Sequence, residues 1–340
     1  MSLIAVGTNH RYSPIELREK ISFSKKRLQD ALDFLKETEA LKGAIILSTC
    51  NRVEIYASTD TPETGIEEAR NFLSRFYEID RQELYPYLYI YRGRDAVRHL
   101  FRVSSGLDSL ILGELQILDQ VKTSFYESER GGFAGYPLKK IFDSAISVTK
   151  NIHASTRISE GKVSVGSVAV DFIKEKTGTL SDKNILIIGV GKVTELVLKY
   201  LKKERCSVVF ISNRTFEKAR FLANQIGARA VRFDNLKEHL NIADIVITAT
   251  KSPHFIITKD VLRKGRLFIV DLALPRDVDP QVRDIAGIEL FDLENLTTVI
   301  QKNRDRKKIQ AQKAEEIIEV EAERLWQELL GLEQEKVLLQ

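Results

Sequence analysis

Five consecutive residues, Ser48-Thr49-Cys50-Asn51-Arg52, put a thiol and a guanidinium among small polar neighbours. An apolar run at 44–47 enters them and a second run at 53–57 leaves them. Both are β-branched and bounded by polar residues, as strands are. Cys50 is therefore expected at the tip of a tight corner between strands. A cation beside a thiol favours the thiolate, the form that attacks carbonyl carbon. A planar guanidinium also grips a carboxylate bidentately. The corner thus reads as a nucleophile with an anion clamp. The plainer alternative is a small Cys packed between strands beside an ordinary surface Arg, because free cysteines are mostly buried and inert.

A second stretch points to a different chemistry. The apolar run 184–188 ends in Gly189-Val190-Gly191-Lys192-Val193-Thr194, and a helical pattern follows to about 203. A strand, a Gly-x-Gly turn and a helix start form a dinucleotide-binding signature, in which backbone N–H groups at the helix N-terminus hold pyrophosphate. Thr194 stands at the third glycine position. The next strand, 208–211, ends in Ser212-Asn213-Arg214-Thr215, with Asn213 24 positions after Gly189. An NAD enzyme places an acid roughly 20 residues on, against the ribose 2′-hydroxyl. Here Ser212, Arg214 and Thr215 suit a 2′-phosphate, so the cofactor reads as NADPH.

A third stretch, residues 106–116, breaks an apolar helical pattern with Gly106, Gly113 and several polar residues. Packing alone does not favour that composition in a helix. Glu114, Gln116 and Gln120 line a polar pocket or a solvated helix face. His99 lies upstream on the same helical stretch, where a lone His is more often packed or on the surface.

The elements that position these residues fall into three regions. Residues 1–157 begin as strand, helix, two strands around the corner, helix and strand, a ferredoxin-like β-α-β-β-α-β order, and continue helically from 94. The first helix is expected to be capped by Ser24 and to run to about 38. Residues 163–172 read as a helix of small residues able to pack closely on something flat. Residues 158–290 form a Rossmann-type α/β domain with further strands at 245–248 and 267–270, closed by Leu274-Pro275-Arg276-Asp277. Residues 291–340 carry a long helix with an apolar stripe at Ala311, Ala314, Ile318, Ala322, Leu325 and Leu329. A helix of that length needs a partner surface, in another domain or another subunit. The fold class is therefore α/β multidomain.

The bulk properties are permissive. The 340 residues allow two or three domains, and 43% hydrophobic with 29% charged residues describes a soluble globular chain. Two cysteines, Cys50 and Cys206, form no disulfide framework and fit a cytoplasmic setting. No apolar run approaches the ~20 residues of a membrane span. A net charge of +4 permits a polyanionic partner without requiring one. Cys206 begins a strand and reads as structural.

Taken together, Gly7-Thr8-Asn9-His10, the corner at 48–52, the Leu107–Gln116 segment, Val165-Gly166-Ser167-Val168-Ala169-Val170 and Leu274-Pro275-Arg276-Asp277 are similar, in the same order, to the glutamyl-tRNA reductases. That family opens tetrapyrrole (porphyrin, heme, siroheme) synthesis from glutamate, and the resemblance covers roughly residues 1–330. It implies that Cys50 attacks the ester of glutamyl-tRNA to give a thioester, which NADPH reduces to glutamate-1-semialdehyde. It further implies activity for His99 and substrate binding by Thr49, Asn51, Arg52, Ser109, Glu114, Leu115, Gln116 and Gln120. Arg52 is expected to hold the side-chain carboxylate and Glu114 the α-ammonium. Two positions depart from the pattern besides Thr194: Val193 stands where Met is usual, and Leu115 where Pro is common. The family implies charged glutamyl-tRNA as partner, an aminomutase to receive the aldehyde, and a homodimer through helices after 292. The chain ends early in that region, so weak self-association is expected. The rival enzyme reading is an NADP-dependent dehydrogenase of a small hydroxy or keto acid, acting without RNA. A catalytically silent binding protein of the same fold is a third, opposed by Cys50, Arg52, His99 and Glu114.

Overall fold

A computed structural model describes residues 2–338 except 24, 161–163, 203, 205, 207, 263–264, 297–298, 302–304 and 306. Ser24, expected as a helix cap, lies outside the described residues. The chain forms two compact units, residues 1–161 with 306–340, and residues 162–305.

The first unit is built on a four-stranded antiparallel sheet. Its elements are β1 (Ser2–Asn9), α1 (Ile15–Lys20), α2 (Lys25–Lys36), β2 (Gly43–Ser48), β3 (Arg52–Thr59), α3 (Pro62–Tyr77) and β4 (Tyr89–Arg92). The strand order β2-β3-β1-β4 is that of the ferredoxin-like split unit. β4 starts later than the expected 85, because Pro86 lies in a helical turn at Tyr85–Tyr87 and has no N–H for a ladder. Three further helices follow: α4 (Gly93–Ser104), α5 (Gln116–Arg130) and α6 (Leu138–Thr156).

Both faces of the sheet are covered, so its strands are apolar on both sides. Ile4, Val6, Ala44, Ile46, Val53 and Ile55 pack with residues of α1–α3. Leu3, Ala5, Ile45, Leu47 and Tyr56 pack with α4–α6. In a strand sealed on both faces, a charged residue needs partners inside the protein, and Glu54 of β3 is such a residue.

The second unit starts with α7 (Val165–Thr177), β5 (Asn184–Ile188), α8 (Lys192–Leu201), β6 (Val208–Asn213), α9 (Phe216–Ile226) and β7 (Arg229–Arg232). It continues with α10 (Leu236–Leu240), β8 (Ile245–Thr248), β9 (Leu267–Asp271) and β10 (Ile288–Asp292). All six strands are parallel, in the order β10-β9-β8-β5-β6-β7. This is the doubly wound order, and its chain reversal between β5 and β8 opens a crevice at the carboxyl ends of the strands.

α7 packs on another helix as well as on the sheet. A Cβ at Gly166 would lie 2.5 Å from the Val197 nitrogen of α8. Phe172 of α7 meets Phe268 and Phe291 of the sheet.

The last helix, α11 (Lys308–Leu338), belongs to the first unit rather than to a region of its own. Its stripe of Ala314, Ile318, Ala322, Leu325 and Leu329 is buried in the core shared with α4 and α6. Intramolecular packing therefore already supplies the partner surface that this helix needs. Among the described residues no helix is long and apolar enough to cross a membrane.

Candidate active site

The corner between β2 and β3 closes on itself. Thr49 N–H donates to the Arg52 carbonyl (2.9 Å), and Thr49 Oγ1 accepts from the N–H groups of Asn51 (3.1 Å) and Arg52 (3.2 Å). The Thr49 hydroxyl is thus engaged in forming the turn. His10, at the end of β1, donates its N–H to the Asn51 carbonyl at 2.9 Å. Cys50 sits half-buried at the tip. Thr8 Oγ1, His10 Nδ1 and Asn51 Oδ1 flank the corner as buried polar atoms without a hydrogen-bond partner. Burial, with the charges of Arg11 and Arg52, pushes the His10 imidazole down to about 3, so it is neutral.

The thiol does not have the electropositive setting that the corner's residue types imply. Burial pushes Cys50 up to about 12, and the Glu114 charge adds to the rise, against the pull of Arg18 and Arg52. Arg52 does not offset this burial, because it is committed elsewhere. Its side chain is 1% exposed, with Nη1 on Glu54 Oε1 at 2.6 Å and Nη2 on the Asp108 carbonyl (2.6 Å) and Oδ2 (3.0 Å). Both terminal nitrogens are engaged with partners inside the protein. A substrate carboxylate would have to displace one of them, so the clamp expected of Arg52 is already closed on the protein's own acids.

Arg52 is the centre of a buried charged cluster. Glu54, fully buried, also accepts from His99 Nε2 at 2.9 Å and from the hydroxyls of Tyr56 (2.7 Å) and Tyr89 (2.5 Å). Burial alone would raise the Glu54 carboxyl; the Arg52 guanidinium and His99 reverse this and hold it well below the usual range. Asp108 accepts from Asn9 Nδ2 (3.2 Å) and Arg11 Nη1 (2.9 Å) besides Arg52. Its burial is likewise outweighed by Arg52, His99 and Arg11, which hold it low. Two guanidinium groups therefore face two carboxylates. Gly7 makes room for this: it pairs directly with Glu54 across the sheet, and a Cβ there would lie 2.8 Å from Glu54 Cγ. His99 is held by Glu54 and stacks on Tyr91 at 4.3 Å between ring centres.

The loop between α4 and α5 carries Asp108, Ser109 and Glu114 to this cluster. Gly106 and Gly113 both have left-handed φ, +77° and +78°. A Cβ at Gly106 would sit 2.9 Å from the Glu114 nitrogen, and one at Gly113 would meet the Ile158 carbonyl. Burial pushes the Glu114 carboxyl up to about 6, moderated by the Ser109 hydroxyl and the Arg52 charge. Leu115 is 53% exposed. Gln116 and Gln120 lie half-buried on the first turns of α5, and neither has a side-chain hydrogen bond to the corner among the described residues.

Sequence reasoning missed Glu54, Asp108, Asn9, Arg11 and Arg18 as site residues. A signal was present for Glu54, an acid inside an otherwise apolar strand and opposite a glycine.

In the second unit the Gly-x-Gly turn stands at the carboxyl end of β5. Gly189 has φ +112°, and a Cβ there would lie 2.5 Å from the Ala249 carbonyl. Gly191 opens onto free space at the start of α8, followed by Lys192 and Val193. Arg214 and Thr215 are exposed at the end of β6, and Asn213 Nδ2 donates to the Thr215 carbonyl at 3.2 Å. Ser212, at the end of β6, is fully buried, and its hydroxyl has no partner. Thr194 is also fully buried with an unpartnered hydroxyl. An open helix N-terminus, a bare Gly191 and two orphaned hydroxyls fit a dinucleotide.

The comparisons agree with both halves. Residues 6–156 match the family described as glutamyl-tRNAGlu reductase, N-terminal domain, and residues 171–299 match that described as shikimate/quinate 5-dehydrogenase. The second unit is accordingly a pyridine-nucleotide domain. Over 328 residues the chain is 42% identical to the glutamyl-tRNA reductase of Pelotomaculum thermopropionicum, covering 94% of this chain and 74% of that protein. It is 39% identical to that of Trichlorobacter lovleyi, covering 94% and 75%. The solved glutamyl-tRNA reductase of Methanopyrus kandleri aligns with a TM-score of 0.55 at 36% identity, over 98% of this chain and 82% of that one. The chain belongs to the glutamyl-tRNA reductase family.

Proposed function

We propose that this chain reduces glutamyl-tRNA to glutamate-1-semialdehyde through a thioester on Cys50, the first step of tetrapyrrole synthesis from glutamate. The observation that carries the reading is the half-buried Cys50 thiol, flanked by the unpartnered polar atoms of Thr8, His10 and Asn51. In the first step the sulfur attacks the ester carbonyl. An S–C bond forms, the C–O bond to the tRNA breaks, and the thiol proton ends on the released tRNA hydroxyl. Splitting one difficult reduction into acyl transfer and reduction lowers each barrier. Gly189–Thr194, Arg214 and Thr215 would hold NADPH, which would supply a hydride to the thioester carbonyl carbon; the S–C bond then breaks, releasing the aldehyde and returning the Cys50 thiolate. Glu114, with its carboxyl near 6, holds the substrate α-ammonium once ionised. Arg52, Glu54, Asp108 and His99 brace the corner that carries Cys50. The setting is cytoplasmic, and the aldehyde passes to an aminomutase.

The test is intact-protein mass after brief incubation with glutamyl-tRNA alone. Wild type should gain a hydroxylamine-sensitive glutamyl adduct, and NADPH should convert it to aldehyde. Cys50→Ser should form neither, while Cys206→Ser should behave as wild type. Aldehyde formation without any adduct or released glutamate would replace the covalent route with direct hydride attack on the ester.

A further inference from the structure

Arg18 was not among the residues that the motifs singled out, yet it is tied directly to the nucleophile. It lies in the last turn of α1 and is 2% exposed. Its Nη1 donates to the Cys50 carbonyl at 3.1 Å, and its Nε to the Ser13 carbonyl at 3.4 Å. Ser13 closes the turn that follows β1, where its N–H and that of Tyr12 donate to the Asn9 carbonyl. One guanidinium therefore fastens the turn at 9–13 to the tip of the corner at 48–52. The same two segments also meet where Asn9 pairs with Arg52 at the end of the β1–β3 ladder and where the His10 N–H donates to the Asn51 carbonyl.

We propose that Arg18 is the positioning residue for Cys50, holding the corner tip by its carbonyl while keeping a fixed positive charge beside the thiol. The proposal rests on the acyl-transfer reading for its purpose, but its geometry is that of the free protein. Three charged groups act on the thiol: Glu114 from the loop before α5, Arg52 from β3 and Arg18 from α1. Glu114 disfavours the thiolate. Arg52 is shared between two carboxylates. Of the two cations, Arg18 exerts the larger pull on the thiol. A guanidinium suits the task because its planar fork serves two carbonyls at once, which an ammonium does not.

The experiment separates charge from fork. Cys50 is alkylated with iodoacetamide across pH in wild type, Arg18→Lys and Arg18→Met, and read by peptide mass. In this reaction an S–C bond forms, iodide leaves and the thiol proton goes to water. Cys206 on the other unit is the internal control. Arg18→Met should slow Cys50 labelling about tenfold at a given pH, with the profile moved upward, since one nearby charge shifts a pKa by about a unit or more. Arg18→Lys should recover most of the labelling yet form the glutamyl adduct more slowly than wild type. A folded Arg18→Met with the wild-type labelling profile overturns the proposal. If Arg18→Met does not fold, a wild-type adduct rate in Arg18→Lys overturns it. If wild type labels as expected but never takes a glutamyl adduct, the reductase reading fails, while the Arg18 effect on labelling still stands or falls by itself.

Discussion

The two units build their sites in opposite ways. In the first, side chains far apart in sequence meet in the interior: Arg52 reaches Asp108, Glu54 reaches His99, and Arg11 closes the charge. In the second, the features proposed to hold the cofactor lie within single βα turns, at Gly189–Gly191 and at the end of β6. A buried ionic cluster is costly to disturb, because removing one partner leaves an uncompensated charge. A surface built from N–H groups and exposed side chains tolerates change and responds mainly in affinity. Damage to the first site should therefore appear in folding, and damage to the second in cofactor choice.

The sharpest test of that contrast is Glu54→Gln. The amide keeps the shape but leaves Arg52 and His99 facing a neutral group. We expect the first unit to lose about 3–5 kcal/mol in denaturant unfolding, the usual consequence of breaking a buried pair. NADPH binding to the second unit should be unchanged. Equal loss in both readouts would mean that the units do not respond separately.

Arg214→Ala probes the other side. It should lower the preference for NADPH over NADH by about tenfold or more, because it removes a charge-assisted contact to phosphate. Its melting temperature should match wild type. Unchanged cofactor discrimination in titrations would remove Arg214 from the 2′-phosphate site.

Glu114 supplies a pH test. Its carboxyl is pushed up to about 6 by burial, so it loses its negative charge as pH falls through that value. If the carboxylate holds the substrate ammonium, kcat/KM should fall below pH 6 in wild type. In Glu114→Gln that acid limb should be absent, with kcat/KM lower throughout. A retained limb at pH 6 in the variant would assign it to another group.

The smallest effect is expected at Thr194→Val. The buried hydroxyl has no partner in the free protein, so its loss should change stability by less than about 1 kcal/mol. Weaker NADPH binding in the same variant would show that the hydroxyl is reserved for the cofactor.

What sequence alone could determine followed from local chemistry. The corner around Cys50 was legible because a two-strand hairpin depends on the residues within and beside it. The same holds for the Gly-x-Gly turn, where one strand and one helix define the geometry. The glycines at 106 and 113 were visible as breaks in a helical pattern. Only the tertiary structure decided what each charged group meets. Arg52 reads equally well as an open clamp or a closed one until Asp108, brought in by a distant loop, is seen against it. The Cys50 thiol rises rather than falls because burial is a property of the whole fold, while neighbouring residue types show only nearby charge. Gly113 is required because a carbonyl 45 positions later, at Ile158, lies where its Cβ would be. The apolar stripe of the last helix showed that a partner was needed; packing on α4 and α6 within the same chain showed which one. Local sequence limits the conformations each segment can adopt, and long-range packing sets the solvent, charge and contacts that decide its chemistry.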